Sequence, residues 1–375
     1  MKVCVFVIWI VFAIATPLAA TAKCVDTRVQ SPNPGPYPVR FAGISGVNAD
    51  DIWAVGSQST PTALETLIEH WDGSAWSIVP SPNAPGSTGT WLAGVAAIST
   101  SDVWAIGNYS VRGRLRGYHE VREHWDGTAW TASVEVDDVS IAGISSVPGD
   151  PNSVWAVGNR YMNCGYQRCP AQMMEHWNGS SWVNEGSQDT GGYLYGVLSL
   201  PNDTMWAVGW EENYRGYLGP TIRHRAFGKW KPVTQQGMAG DSTPVGVGGT
   251  SDANVWIAAY HGHVGGFVVE HWDGATWTKY ELAHPANTSI TAISVGSSSD
   301  VWVAGYHQPT GYGGAYYPYL AHWDGFTWTY NIRSPIGGDQ GSIDGLLDLP
   351  TGVLGVGNDV PSNAPAQTLV AFAQC

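Results

Sequence analysis

Six histidines, His70, His124, His176, His224, His271 and His322, recur at one repeated position, and four of them follow a glutamate: Glu69, Glu123, Glu175 and Glu270. A histidine beside a carboxylate is raw material for a metal site or an acid–base pair. Recurrence argues against both, because a catalytic centre needs unlike residues gathered at one place. These are expected to pack. The non-repeated candidates are few. Glu211 and Glu212 are adjacent carboxylates, but glycoside cleavage needs two such groups about 5–9.5 Å apart across the scissile bond, and neighbouring acids in a loop are usually solvated. His261, His263 and His307 fall in loops of adjacent repeats. They are candidate zinc or copper ligands, but they lack a carboxylate or thiolate partner. No P-loop, dinucleotide fingerprint or EF-hand loop occurs. No catalytic residue, metal or cofactor is expected.

Aromatic stacking is the chemistry that the residue types favour. The chain of 375 residues holds 20 Trp. Six lie in a VWAVG-like string, five follow the repeated His and six open the next strand; Trp9, Trp91 and Trp210 are left over. Trp91 stands at a position filled by Arg40, Ser140, Tyr193, Thr243, Ser289 and Ser342 in the other repeats, and Trp210 opens a variable loop. Indole and phenol rings give flat amphipathic surfaces with a polar handle, which suits sugar rings. The expected ligand site is Trp91, Tyr193, Trp210, Tyr260 and Tyr306 as stacking surfaces, with Arg40 and His307 as polar partners.

The elements that position these residues follow from the repeat. DIWAVG at 51–56 returns as DVWAIG, SVWAVG, TMWAVG, NVWIAA and DVWVAG, with tryptophans Trp53, Trp104, Trp155, Trp206, Trp256 and Trp302 spaced 46–51 residues apart. EHWDGSAW at 69–76 returns four times, and RHRAFGKW at 223–230 is a degraded copy. A seventh unit keeps GVLGVG at 352–357 without its Trp. Each unit reads as four short strands, A to D, with a glycine turn between C and D. A unit of about 50 residues cannot bury both faces alone, and radial stacking around a channel solves this. The expected fold is all-β: a seven-bladed β-propeller of four-stranded antiparallel blades, near 40–83, 91–136, 140–187, 193–235, 243–283, 289–333 and 342–375. The last unit lacks a strand D, and residues 24–33 resemble one, so the N-terminal strand is expected to close the last blade. In this meander the variable B–C loops share one face, and loops on a rigid scaffold commonly carry function.

Composition narrows the classes. There are 17 Lys plus Arg against 31 Asp plus Glu, a net charge of −14, with only 13% of residues charged. That balance argues against a nucleic-acid partner, which needs clustered cations. Lys2, the apolar run Val3 to Ala15 and Ala20-Thr21-Ala22 read as a signal peptide over 1–22. The run is shorter than the ~20 residues of a spanning helix, so no membrane span is expected. The mature domain is 23–375, secreted or periplasmic and monomeric. Export permits disulfides. Aligning the seventh unit on the first brings Cys24 and Cys375 to neighbouring places in one turn, so Cys24–Cys375 and Cys164–Cys169 are the expected pairs. The first would contribute roughly 4–5 kcal/mol by loop closure.

The repeated strings also carry a resemblance. DVWAVG followed by EHWDGxxW resembles secreted bacterial Trp-rich β-propeller repeat proteins. The HWDGSAW turn is similar to that of bacterial seven-bladed propeller lectins, which implies glycan binding between blades. It also resembles the Asp-box of sialidases, a fold marker, although Trp71 stands where the box carries its Asp. The resulting expectation is a non-catalytic extracellular glycan-binding protein. The alternatives are a protein–protein scaffold, or a glycan hydrolase or lyase working at the channel mouth.

Overall fold

The computed structural model describes residues 25–112, 119–135, 138–164, 167–186, 191–212, 218–234, 238, 242–261, 266–282, 285–311, 313–332 and 340–375. Every regular element among them is a strand. The N-terminal strand is β1 (Val25–Arg28). The first unit is β2 (Val39–Asn48), β3 (Asp51–Ser59), β4 (Leu64–Trp71) and β5 (Trp76–Ile78). The second is β6 (Ser87–Ser99), β7 (Asp102–Val111), β8 (His119–Trp125) and β9 (Trp130–Val134). The third is β10 (Val139–Ser145), β11 (Trp155–Cys164), β12 (Gln167–Trp177) and β13 (Trp182–Asn184). The fourth is β14 (Gly191–Leu200), β15 (Thr204–Glu212), β16 (Leu218–Ala226) and β17 (Lys229–Pro232). The fifth is β18 (Ser242–Ser251), β19 (Asn254–His261), β20 (Phe267–Trp272) and β21 (Trp277–Tyr280). The sixth is β22 (Thr288–Ser297), β23 (Asp300–His307), β24 (Tyr317–Trp323) and β25 (Trp328–Ile332). Last come β26 (Gln340–Leu349), β27 (Gly352–Val360) and β28 (Gln367–Gln374).

Each unit is a four-stranded antiparallel sheet in sequence order. The last takes its fourth strand from the other end of the chain: β1 pairs with β28, with Val25 opposite Gln374 and Arg28 opposite Ala371. Single bridges, Leu64 to Gly89 and Ala171 to Gly191, join the first sheet to the second and the third to the fourth. The first strands touch in succession, β2 to β6, β10, β14, β18, β22 and β26, and β26 touches β2. All seven line one cavity.

The burial gradient explains the sequence pattern. Strand B packs on both faces, so its string is continuously apolar, and Ile52 to Val55 are all within 2% of full burial. The glycine that ends the string has a steric reason. A Cβ on Gly56 would lie 2.0 Å from the carbonyl oxygen of Arg40, and one on Gly209 would lie 2.0 Å from that of Tyr193. The glycine therefore admits the bulge in strand A, between Phe41 and Gly43 or Leu194 and Gly196, and the residue beside that bulge is the one at the expected site level.

The repeated histidine is a packing residue. Each His ring stacks on the strand B indole of its own sheet, from 4.1 Å in Trp256–His271 to 4.6 Å in Trp155–His176. In the first sheet the Asp51 carboxylate accepts from both partners, at 2.8 Å from His70 Nε2 and 3.1 Å from Trp53 Nε1. Asn254 does the same for Trp256 and His271. The strand D indole of the next sheet meets the strand B indole edge-on, as Trp130 meets Trp53 at 5.3 Å. Where the degraded fourth copy has lost its strand C tryptophan, Arg225 lies 4.8 Å over Trp155 and binds Glu185 at 3.0 Å and Asp203. A cation over an indole thus replaces an indole–indole contact.

The C–D turn is built on its aspartate. Asp72 Oδ1 accepts from the backbone N–H groups of Ser74 and Ala75, both at 2.9 Å, and Gly73 takes φ 87°. Asp72, one residue after Trp71, is thus the turn's acceptor. Cys164 and Cys169 form a disulfide with Cα atoms 5.9 Å apart. Cys375 is disulfide-bonded, whereas Cys24 and the expected signal segment, 1–22, lie outside the described residues. Among the described residues no helix is long and apolar enough to cross a membrane.

Candidate functional site

The A–B ladders place six of the seven expected site residues at one level. Arg40 faces Ser57, Trp91 faces Asn108, Tyr193 faces Trp210, Thr243 faces Tyr260, and Ser289 faces Tyr306. His307 lies one residue further along, opposite Thr288. Its ring is buried, with Nδ1 3.3 Å from Thr288 Oγ1, and burial lowers its pKa. His261 Nδ1 lies 3.0 Å from Ser242 Oγ. His263 falls outside the described residues, and among those described no three His, Cys, Asp or Glu side chains gather as a metal site.

Tyr193 and Trp210 meet, and two tyrosines join them. The Tyr193 and Trp210 rings lie 4.9 Å apart, and Tyr195 lies nearly parallel to Tyr193 at 6.3 Å. Trp210 Nε1 donates to Tyr195 OH at 2.9 Å, and the Tyr161 and Tyr193 hydroxyls are 2.6 Å apart. All four rings are half-buried. Desolvation, and then the Tyr161 hydroxyl, raise the pKa of Tyr193; desolvation likewise raises that of Tyr195. These phenols are therefore neutral hydrogen-bonding groups at ordinary pH. The cluster spans the third and fourth sheets.

A polar group occupies the same level in the sixth, seventh and first sheets. Tyr306 meets Tyr316 edge-on at 5.8 Å. Asn358 Nδ2 donates to Tyr316 OH at 3.1 Å. Ser342 Oγ lies 2.6 Å from Asn358 Oδ1 and 3.0 Å from Asp344 Oδ2, and Arg40 comes within 3.6 Å of Asp344. Burial raises the pKa of Asp344 against the pull of Arg40. Trp91 and Tyr260 stand at this level in the second and fifth sheets, both half-buried. Glu211 is engaged: Arg223 donates to it at 2.7 Å and Thr221 at 3.3 Å. Glu212 is exposed.

Tyr161, Tyr195, Tyr316 and Asp344 were not expected from the repeat. The signal for two of them lies at the bulge of strand A, where Ala42, Ala93, Ala142, Val245 and Thr291 stand in the other units. Tyr195 and Asp344 are the departures from that small or aliphatic series. Neither belongs to a repeated string, so counting repeats passes over both.

No protein-family model matches the sequence, and no curated protein matches it. Solved structures resemble it in fold. YCF48 from Cyanidioschyzon merolae is 14% identical with a TM-score of 0.53, covering 92% of this chain and 98% of that one. The GH74 enzyme of Niastella koreensis is 14% identical with a TM-score of 0.55, covering 90% of this chain but only 55% of the other. The Hadza microbial sialidase Hz136 is 10% identical with a TM-score of 0.53, covering 84% and 74%. At these identities the likeness establishes the architecture alone: all-β, in four-stranded antiparallel sheets, with propeller-like neighbours.

Proposed function

We propose that this chain is a seven-bladed β-propeller, its last blade completed by the N-terminal strand, that is exported and binds extracellular carbohydrate without catalysis. The observation that carries the reading is the half-buried Tyr161–Tyr193–Tyr195–Trp210 cluster. Its rings offer stacking faces and its hydroxyls offer polar handles, the combination that sugar rings require. The GH74 enzyme and the sialidase among the structural neighbours support carbohydrate as the ligand class. They also favour the hydrolase alternative. Against it, the Glu211 carboxylate is already held by Arg223 and Thr221.

The test is Trp210→Ala on a glycan array and in titration. Binding is expected to fall at least tenfold, with a stability loss of about 1–3 kcal/mol, smaller than for a fully buried indole, because this ring is partly exposed although it packs on Tyr193 and donates to Tyr195. Unfolding of the variant would make the indole structural and remove the site's main residue. Array binding to proteins but not glycans would favour the scaffold reading. Hydrolysis lost in Glu211→Gln would favour the enzyme.

Export and closure carry a second prediction. Cys375 is disulfide-bonded, and Val25 faces Gln374 in the β1–β28 ladder, which supports Cys24 as its partner. Non-reducing peptide mapping of secreted protein should link the two terminal peptides. A lipid on Cys24, or a link from Cys24 to Cys164, would overturn the pairing.

A further inference from the structure

On the carbohydrate reading above, the Tyr193–Trp210 platform accounts for stacking but not for selection among sugars. The bulge residues bear on that. Tyr195, in the fourth unit, belongs to the platform; Asp344, in the seventh, is the charged member of the series. Following the contacts of the first strands, β14 and β26 are three steps apart one way and four the other. That is as far apart as seven units permit, so the two departures from the series stand on opposite sides of one mouth.

Asp344 is short of hydrogen-bond donors. Its side chain is only 12% exposed, and a carboxylate so placed needs its lone pairs filled. Ser342 has a single hydroxyl hydrogen and two acceptors in reach, and the nearer is Asn358 Oδ1 at 2.6 Å, against 3.0 Å for Asp344 Oδ2. Asn358 is itself fixed by its bond to Tyr316, which holds it in place to take that hydrogen. Arg40 stands 3.6 Å from Asp344, longer than a hydrogen bond, and its side chain is 59% exposed, leaving guanidinium donors facing outward. The result is a carboxylate with open acceptors beside a guanidinium with open donors.

We propose that Asp344 and Arg40 form a hydroxyl-reading subsite opposite the Tyr193–Trp210 platform, and that the ligand is a neutral glycan presenting a vicinal diol to it. Each sugar hydroxyl both donates and accepts. One hydroxyl of the diol donates to Asp344, and its neighbour accepts from Arg40. A glycan carboxylate in the same place would bring acceptors and no donor to a carboxyl group already short of donors, on a chain of net charge −14, so acidic sugars are disfavoured.

The experiment uses the secreted protein and four probes: cellotetraose, mannotetraose and galactotetraose as neutral chains, and tetragalacturonate as the acidic one. Titration is run on the wild type, Asp344→Asn, Arg40→Met and Trp210→Ala. At least one neutral probe should bind, with tetragalacturonate tenfold weaker or worse. Asp344→Asn should weaken the neutral probe at least tenfold at unchanged thermal stability and narrow its advantage over tetragalacturonate. Should that variant fail to fold, Arg40→Met carries the same tenfold expectation, since its side chain lies largely in solvent. If Trp210→Ala abolishes binding while Asp344→Asn and Arg40→Met stay within twofold of wild type, the subsite is wrong and the carbohydrate reading stands. Preference for tetragalacturonate also overturns the subsite alone. If no probe binds the wild type, both fall together.

Discussion

The protein should be most stable near pH 4–5 and lose stability steadily up to pH 9, and Glu69→Gln with Glu123→Gln should remove much of that loss. Both glutamates are fully buried. Burial pushes each pKa up to about 8, only partly offset at Glu69 by a hydrogen bond from Ser31. In the unfolded chain such a carboxyl ionises near 4.5. Below that pH both states are protonated and the native contacts are fully available. Between about 4.5 and 8 the unfolded state gives up a proton that the folded state keeps, so stability falls as pH rises. A shift of this size corresponds to at most about 5 kcal/mol per glutamate. Glu175 differs because Arg122 reaches it from the neighbouring sheet, so the uncompensated pair gives the cleaner test. On the acid side the slope reverses. Asp72 and Asp126 are held down to about 2 by the donors of their turns, and that contribution disappears as pH falls through about 4 to 2. Urea melts from pH 3 to 9 should show the double variant matching wild type at pH 4 and exceeding it at pH 9. A wild type that grows more stable from pH 5 to 8, or a double variant weaker at pH 9, would refute this.

The same glutamates show how far the sequence can be read. Their repetition marks them as structural, and the stacking of His70 on Trp53 and of His271 on Trp256 explains why the histidine recurs beside them. Local rules of this kind are legible because each acts within one unit. Strand B must be apolar throughout, the glycine at its end must clear a carbonyl, and the Asp-Gly turn must satisfy its own backbone. What depends on a neighbouring unit is not legible. The ionisation of Glu69 is set by burial between sheets and tempered by Ser31, which follows the N-terminal strand of the last sheet. Arg225 looks like decay of an EHW string until it is seen lying over Trp155 of the preceding sheet. Asp344 is silent for another reason: it sits at a strand A bulge, between Ile343 and Gly345, where the pairing skips a residue. Alternation alone therefore does not give its facing. Trp91, Tyr193 and Trp210 were legible as exceptions to repetition, whereas Tyr161, Tyr195 and Tyr316, which complete the two clusters, require the fold.

Trp256→Ala should cost about 3–5 kcal/mol, the range for removing a large aromatic side chain from a close-packed site. Its indole has no exposed surface. The ring stacks on His271 at 4.1 Å and Tyr280 at 5.2 Å, donates to Asn254 at 2.9 Å, and meets Trp328 of the sixth sheet edge-on at 6.3 Å. Alanine would leave a cavity at the join of two sheets and strand part of the Asn254 hydrogen-bonding capacity, and strands paired on both sides cannot easily collapse into the space. The midpoint of urea unfolding should fall while the m-value holds, since the surface exposed on unfolding scarcely changes. A loss below about 1 kcal/mol would show that the interface relaxes, and would weaken the claim that indole contacts hold the sheets together. Paired with Trp210→Ala, the measurement tests the principle behind the site assignment. If repeated indoles are structural and the exceptions face the ligand, Trp256→Ala moves stability and Trp210→Ala moves binding. A chain in which both variants lose several kcal/mol would show that departure from the repeat does not separate the two roles.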